Sequence, residues 1–139
     1  MSRMVFGALA VVLLATPAAA QQKASNQRQA AAEGRPLSAW IQDLKSPAPQ
    51  TRNAAAYAIS GMGPAAKAAV PALIAALDDP AASVRYPVCV ALREIGPAAA
   101  AAVPKLEQVR DNDPNDDVAF MAKMALRFIR GESEQASAR

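Results

Sequence analysis

An eleven-residue phrase occurs twice in this chain, 33 positions apart and with only two changes. Gly63-Pro64-Ala65-Ala66-Lys67-Ala68-Ala69-Val70-Pro71-Ala72-Leu73 returns as Gly96-Pro97-Ala98-Ala99-Ala100-Ala101-Ala102-Val103-Pro104-Lys105-Leu106. The spacing runs beyond the phrase. Arg52 and Arg85 share it, as do Ile59 and Leu92, while Asp79-Pro80 and Val84 return one residue later as Asp113-Pro114 and Val118. A period of this size marks stacked supersecondary units, each too small to bury its apolar face without a neighbour. The chain must therefore fold as a short array.

The units are helical. Alanine fills 36 of the 139 positions; it is the best helix former, and its small side chain lets helices approach closely. No stretch alternates apolar and polar residues as a half-buried strand would. The expected fold class is all-α, an α-solenoid of about three helix pairs over residues 36–130.

In the first pair Leu37, Trp40, Ile41 and Leu44 share a face that ends at Ser46-Pro47. A second helix follows over 50–62 with Ala55, Ala58, Ile59 and Met62 inward, closed by Gly61 and Gly63 before Pro64. The second pair uses Leu73, Ile74 and Leu77, a turn at Asp78 to Pro80, and a helix capped by Ser83 that buries Val84, Val88, Ala91, Leu92 and Ile95. Pro87, as its fourth residue, is expected to bend the first turn. The third pair uses Leu106 and Val109, a turn from Asp111 to Asn115, and a helix burying Val118, Ala122, Ala125, Leu126 and Ile129, capped by Asn115 or Asp116.

The flanks differ. Arg3, the apolar run Val5 to Ala15 and Ala18-Ala19-Ala20 have the order of an export leader over 1–20, cleaved near Ala20. The expected location is periplasmic or secreted. The apolar run is shorter than the roughly 20 residues a bilayer span needs, so stable membrane insertion is not expected. Residues 21–35 are polar and aperiodic, as a disordered linker would be, and 131–139 form a polar, flexible tail. The formal charge is +3 with no basic run, too mild for a nucleic-acid binder. With one cysteine, Cys89, no internal disulfide can form.

The residues spell P-x-L-x-x-x-L-x-D-P-x-x-x-V-R…A-L-x-x-I-G-P, carried almost whole by Pro71, Leu73, Leu77, Asp79-Pro80, Val84-Arg85, Ala91-Leu92 and Ile95-Gly96-Pro97. This resembles the HEAT repeat family, in its short PBS-lyase-like form. The first unit keeps Leu44, Pro47, Arg52, Ala58-Ile59 and Gly63-Pro64; the third keeps Pro104, Leu106, Asp113-Pro114, Val118 and Ala125-Leu126. The resemblance implies a ladder between neighbouring units built from Arg52, Asp79, Arg85 and Asp113. Ala119 stands where Arg52 and Arg85 precede it, so the ladder should stop at the third unit.

Two enzymatic readings accompany that resemblance, and the residues support neither. A hydroxylase built on such repeats holds two irons with histidine–glutamate pairs, and this chain has no histidine. The bilin lyases chaperone a tetrapyrrole, for which no pocket is recognisable. The segment Asp111 to Asp117, DNDPNDD, lacks the calcium-loop spacing and its distal glutamate. Cys89 has no histidine to activate it and reads as a packing residue. The expectation is no enzyme, no cofactor and no metal.

A partner surface is legible instead. At about 100° per residue, Tyr86, Val90 and Arg93 point away from the buried face of their helix. Tyr57 in the first unit and Phe120, Met124 and Arg127 in the third fall at matching positions. Together they form an aromatic, methionine and arginine stripe of hot-spot composition, on the face that solenoids use as a concave binding surface. Val90→Glu is expected to abolish partner binding with little loss of stability. The reading is an exported protein–protein adaptor that takes a protein or peptide. The alternative is an accessory factor that holds a small hydrophobic ligand or tetrapyrrole. Self-association through the array ends is the further partner option.

Overall fold

The computed structural model describes residues 34–132. The leader expected over 1–20, and nearly all of the linker and tail, lie outside the described residues. Arg35, expected in the linker, is tied down: its guanidinium stacks 4.1 Å above the Trp40 ring and pairs with Asp43 at 2.8 Å.

The described residues form six α-helices and two 3-10 segments, with no strand among them. In chain order they are α1 (Leu37–Asp43), α2 (Pro49–Met62), a 3-10 segment (Gly63–Ala69), α3 (Val70–Ala76), α4 (Ala82–Ile95), a second 3-10 segment (Gly96–Ala102), α5 (Val103–Asn112) and α6 (Asp116–Ile129). The second helices α2, α4 and α6 pack side by side in one layer, and α1, α3 and α5 back them. This is the expected all-α solenoid of three helix pairs.

One core runs through all three units. Ile59, Leu73, Val84, Val88, Leu92, Ile95, Leu106, Val118 and Leu126 are essentially inaccessible to solvent. Leu37, Ile41, Ala58, Met62 and Ile74, expected inward, are only partly buried at its edge, and Ala56 takes a fully buried place. The stretch Pro49–Ala76 has the length and apolarity of a bilayer span. Gly63 divides it, and Ala55, Ile59, Ala66, Ala69 and Leu73 from it are spent on the core.

The repeated phrase sets the joints. Gly63 (φ 56°, ψ −139°) and Gly96 (φ 76°, ψ −142°) end α2 and α4 in a conformation that side chains rarely tolerate, although at Gly96 there is open space for one. The alanine runs after them wind as 3-10 turns, which the 3.6-residue period does not reveal. In a 3-10 turn residues three apart eclipse each other. Ala66 and Ala69, and again Ala99 and Ala102, are the fully buried members of those rows.

Four sequence boundaries need correction. Ser83 does not cap α4. The Asp79 carboxylate accepts from the Ala81 N–H at 2.9 Å, so the helix starts at Ala82 and Ser83 lies inside its first turn. Pro87 is therefore the sixth helical residue, not the fourth. α5 runs through Asp111 to Asn112, shortening the third turn, and Gly61 lies within α2.

Pro87 has a specific compensation. Lacking an N–H, it cannot bond the carbonyl four residues earlier, that of Ser83. Asn53 of the neighbouring α2 reaches across and donates its amide to that oxygen at 2.5 Å. Asn53→Ala should cost about 1 kcal/mol in the native chain. In a Pro87→Ala background, where the helix supplies its own donor, it should cost measurably less. A double-mutant cycle in urea checks this, and equal costs in both backgrounds would refute the compensation.

Candidate functional site

The four ladder residues lie in one connected chain of bonds. Arg52 donates from Nε and Nη2 to the two Asp79 oxygens at 2.6 and 3.1 Å. Its Nη1 donates to the carbonyl oxygens of Ser46 and Pro47, in its own unit's turn, at 2.8 and 3.1 Å. Arg85 repeats the arrangement one unit on, with Asp113 at 2.8 and 3.0 Å and the carbonyls of Asp79 and Pro80 at 2.8 and 3.1 Å. Each arginine thus clamps its own turn and holds the next one, and the pairs are largely shielded from water.

Both ends of the ladder stop by residue identity. Ser46 occupies the first-unit position of Asp79 and Asp113. Its Oγ accepts from the Ala48 N–H at 3.2 Å, as the Asp79 and Asp113 carboxylates do in their turns, but it offers no carboxylate to an arginine behind it. Ala119 offers no arginine ahead. Lys123 marks the same end: the equivalent Ala56 and Cys89 are buried between units, whereas Lys123 is exposed.

The ladder titrates. Burial by itself pushes the Asp79 and Asp113 carboxyls up, but the arginine bonds, the turn N–H and the guanidinium charge more than offset it, so both end below their usual value. A lowered folded-state pKa contributes stability that is present above the unfolded value, near pH 4, and is lost as pH falls through the folded values. Acid titration by circular dichroism should show stability flat above about pH 5 and falling steeply below pH 4. With Asp79 and Asp113 both changed to Asn, the curve should flatten. An unchanged acid limb would refute the linkage.

Chemistry is sparse elsewhere. Burial pushes the Cys89 thiol up to about 12, with the Asp113 charge adding and Arg85 opposing, so it is no nucleophile. Asp111 pairs with Arg110, and Asn115 caps α6 by accepting from the Val118 N–H at 3.1 Å, with Asp116 and Asp117 in its first turn. Among the described residues no cluster of three or more acidic or cysteine side chains could hold a metal.

The candidate binding surface is a groove of about 640 Å³ across the middle of α2 and the amino-terminal halves of α4 and α6. Tyr57, Tyr86 and Phe120 line it, with Asn53, Ser83 and Asp117 among its polar members. Phe120 is 58% exposed. The other predicted residues lie outside that lining. Val90 and Met124 are partly buried against the core, Arg93 pairs with Glu94 at 2.6 Å, and Arg127 is half-buried in the last turn of α6. Val90→Glu would therefore disturb packing as well as binding, and Phe120 is the cleaner probe.

Phe128, 61% exposed, was not among the predicted residues. Its signal was present, since Phe120, Met124 and Phe128 recur every four residues along one stripe of α6. Asn53 and Asp117 carried no comparable signal, because polar residues on an outer face look alike in sequence.

A sequence model described as HEAT repeats matches residues 37–127. No curated protein and no solved structure matches the chain.

Proposed function

Because the chain belongs to the HEAT repeat family, we propose that it is a protein-binding adaptor that holds a partner segment along the outward face of α2, α4 and α6. HEAT arrays serve as protein-interaction scaffolds and are typically non-catalytic. The observation that carries the reading is the groove itself: three aromatic side chains from three different units converge on one concavity, and Phe120 stands largely in solvent. Exposed aromatic area beside polar groups is the composition of an interaction hot spot. The leader-like residues 1–20 support action outside the cytoplasm.

A photo-crosslinking amino acid at Phe120, used in cells of the source organism with mass spectrometry of the products, tests the reading. A dominant foreign protein, lost when Tyr86 is also changed to Ala, is the expected result. Crosslinks confined to the chain itself or to its copies would overturn the adaptor reading.

A further inference from the structure

We infer that the groove takes a cationic side chain, an arginine or lysine on an extended segment of the partner. The inference rests on the adaptor reading and adds the chemistry of the occupant.

The groove concentrates aromatic rings and negative charge together. Tyr57, Tyr86 and Phe120 line it, while the remaining aromatics of the described array, Trp40 and Phe128, do not. Asp117 is its one charged lining residue; no lysine or arginine lines it. Asp116 stands on the same first turn of α6, and both carboxylates are exposed. Neither is engaged in an ion pair among the described residues, in contrast to Asp43, Asp78, Asp79, Asp111 and Asp113.

The helix ends oppose this and must be weighed. The amino termini of α4 and α6 each bring about half a positive charge to the groove. Asn115 has already taken one of the α6 donors. With Asp116 counted beside the lining residue Asp117, two full carboxylate charges outweigh the two half charges, so the α6 side of the groove is negative in a chain whose net charge is +3. The cations of the described array that make no ion pair, Lys45, Lys67, Lys123 and Arg127, do not line the groove.

Aromatic faces with a carboxylate at their rim suit a guanidinium or ammonium group. The rings attract the cation through their quadrupoles, and the carboxylate pairs with it at the mouth. An acidic partner side chain would meet Asp117 in the same space and be repelled. A neutral segment could use the rings but would leave the carboxylate without a role.

The test uses the full chain and three blocked nonapeptides of glycine and serine carrying two arginines, two glutamates or neither. Ring resonances of Tyr57, Tyr86 and Phe120 are followed by NMR. The arginine peptide should shift all three rings. Asp117→Asn should weaken that binding about fivefold, the size of one exposed charge contact, and Phe120→Ala should weaken it at least as much. Asp111→Asn, a carboxylate outside the groove, should leave it unchanged. If the glutamate or neutral peptide shifts the same rings as strongly, the cationic inference falls and the adaptor reading stands. If no peptide shifts them and the Phe120 crosslink finds no foreign protein, both fall. Arginine-peptide shifts confined to residues outside the groove would also overturn the inference.

Discussion

Leu92→Ala is expected to lower the unfolding free energy by about 2–5 kcal/mol, the range for truncating a fully buried leucine. Leu92 has no solvent exposure, and its helix is the one that packs on both flanks, against α2 and against α6. A cavity at an array end can close by a shift of the terminal helix. Here, movement of α4 toward one neighbour opens a gap to the other, so collapse is restricted and the cost should fall in the upper part of the range. For an array of this size the melting temperature should drop by about 10 °C or more. Urea unfolding of the two proteins decides it. A loss under about 1 kcal/mol would mean that the two helix layers do not meet as described.

The second large effect belongs to the ladder. Asp113→Ala removes the partner of a guanidinium whose side chain is only 11% exposed, along with the acceptor for the Asn115 N–H. An uncompensated, largely buried charge is the costly outcome, and about 3 kcal/mol is expected. Asp113→Asn keeps an oxygen for the turn but loses the charge, so it should cost about half as much. Asp111→Ala sits two residues away in the same acidic segment, yet its pair with Arg110 is exposed, and it should leave the urea midpoint essentially unchanged. If Asp111→Ala and Asp113→Ala prove equal, the ladder is a surface ornament and not a clamp.

The fold was legible because its strongest determinants repeat. A 33-residue period, glycine–proline punctuation and inward leucines at helical spacing are local facts that one chain displays to itself. The ladder was legible only through the resemblance, since nothing local couples Arg52 to an aspartate 27 positions away. The 3-10 segments were missed because a run of alanine carries no period for either helix type to claim. The start of α4 was misplaced because two capping devices competed, and the Asp79 turn engaged the backbone before Ser83 could.

The site was half legible for a similar reason. Wheel geometry correctly separates the outward face of α4 from its inward face, and Tyr57, Tyr86 and Phe120 follow from it. It cannot say how deeply neighbouring helices cover a flank. Val90, Met124 and Tyr86 share the stripe with Phe120 yet are partly buried against the core, whereas Phe120 stands in solvent. That difference depends on the spacing of adjacent helices, which alanines such as Ala55, Ala56 and Ala91 set from the other side of the layer.

The clamp between units has a direction. Every turn carboxylate receives a guanidinium from behind, and every guanidinium reaches forward, so a unit behaves like a link with a hook at one end and an eye at the other. The middle link has both. The first carries only the hook, because Ser46 replaces its eye; the last carries only the eye, because Ala119 replaces its hook. A chain in which residues 63–95 were written twice would therefore close every clasp, the added hook meeting the added eye. Where the clasps stop is thus a property of two small residues, Ser46 and Ala119, and the stretch between them can be lengthened without new chemistry.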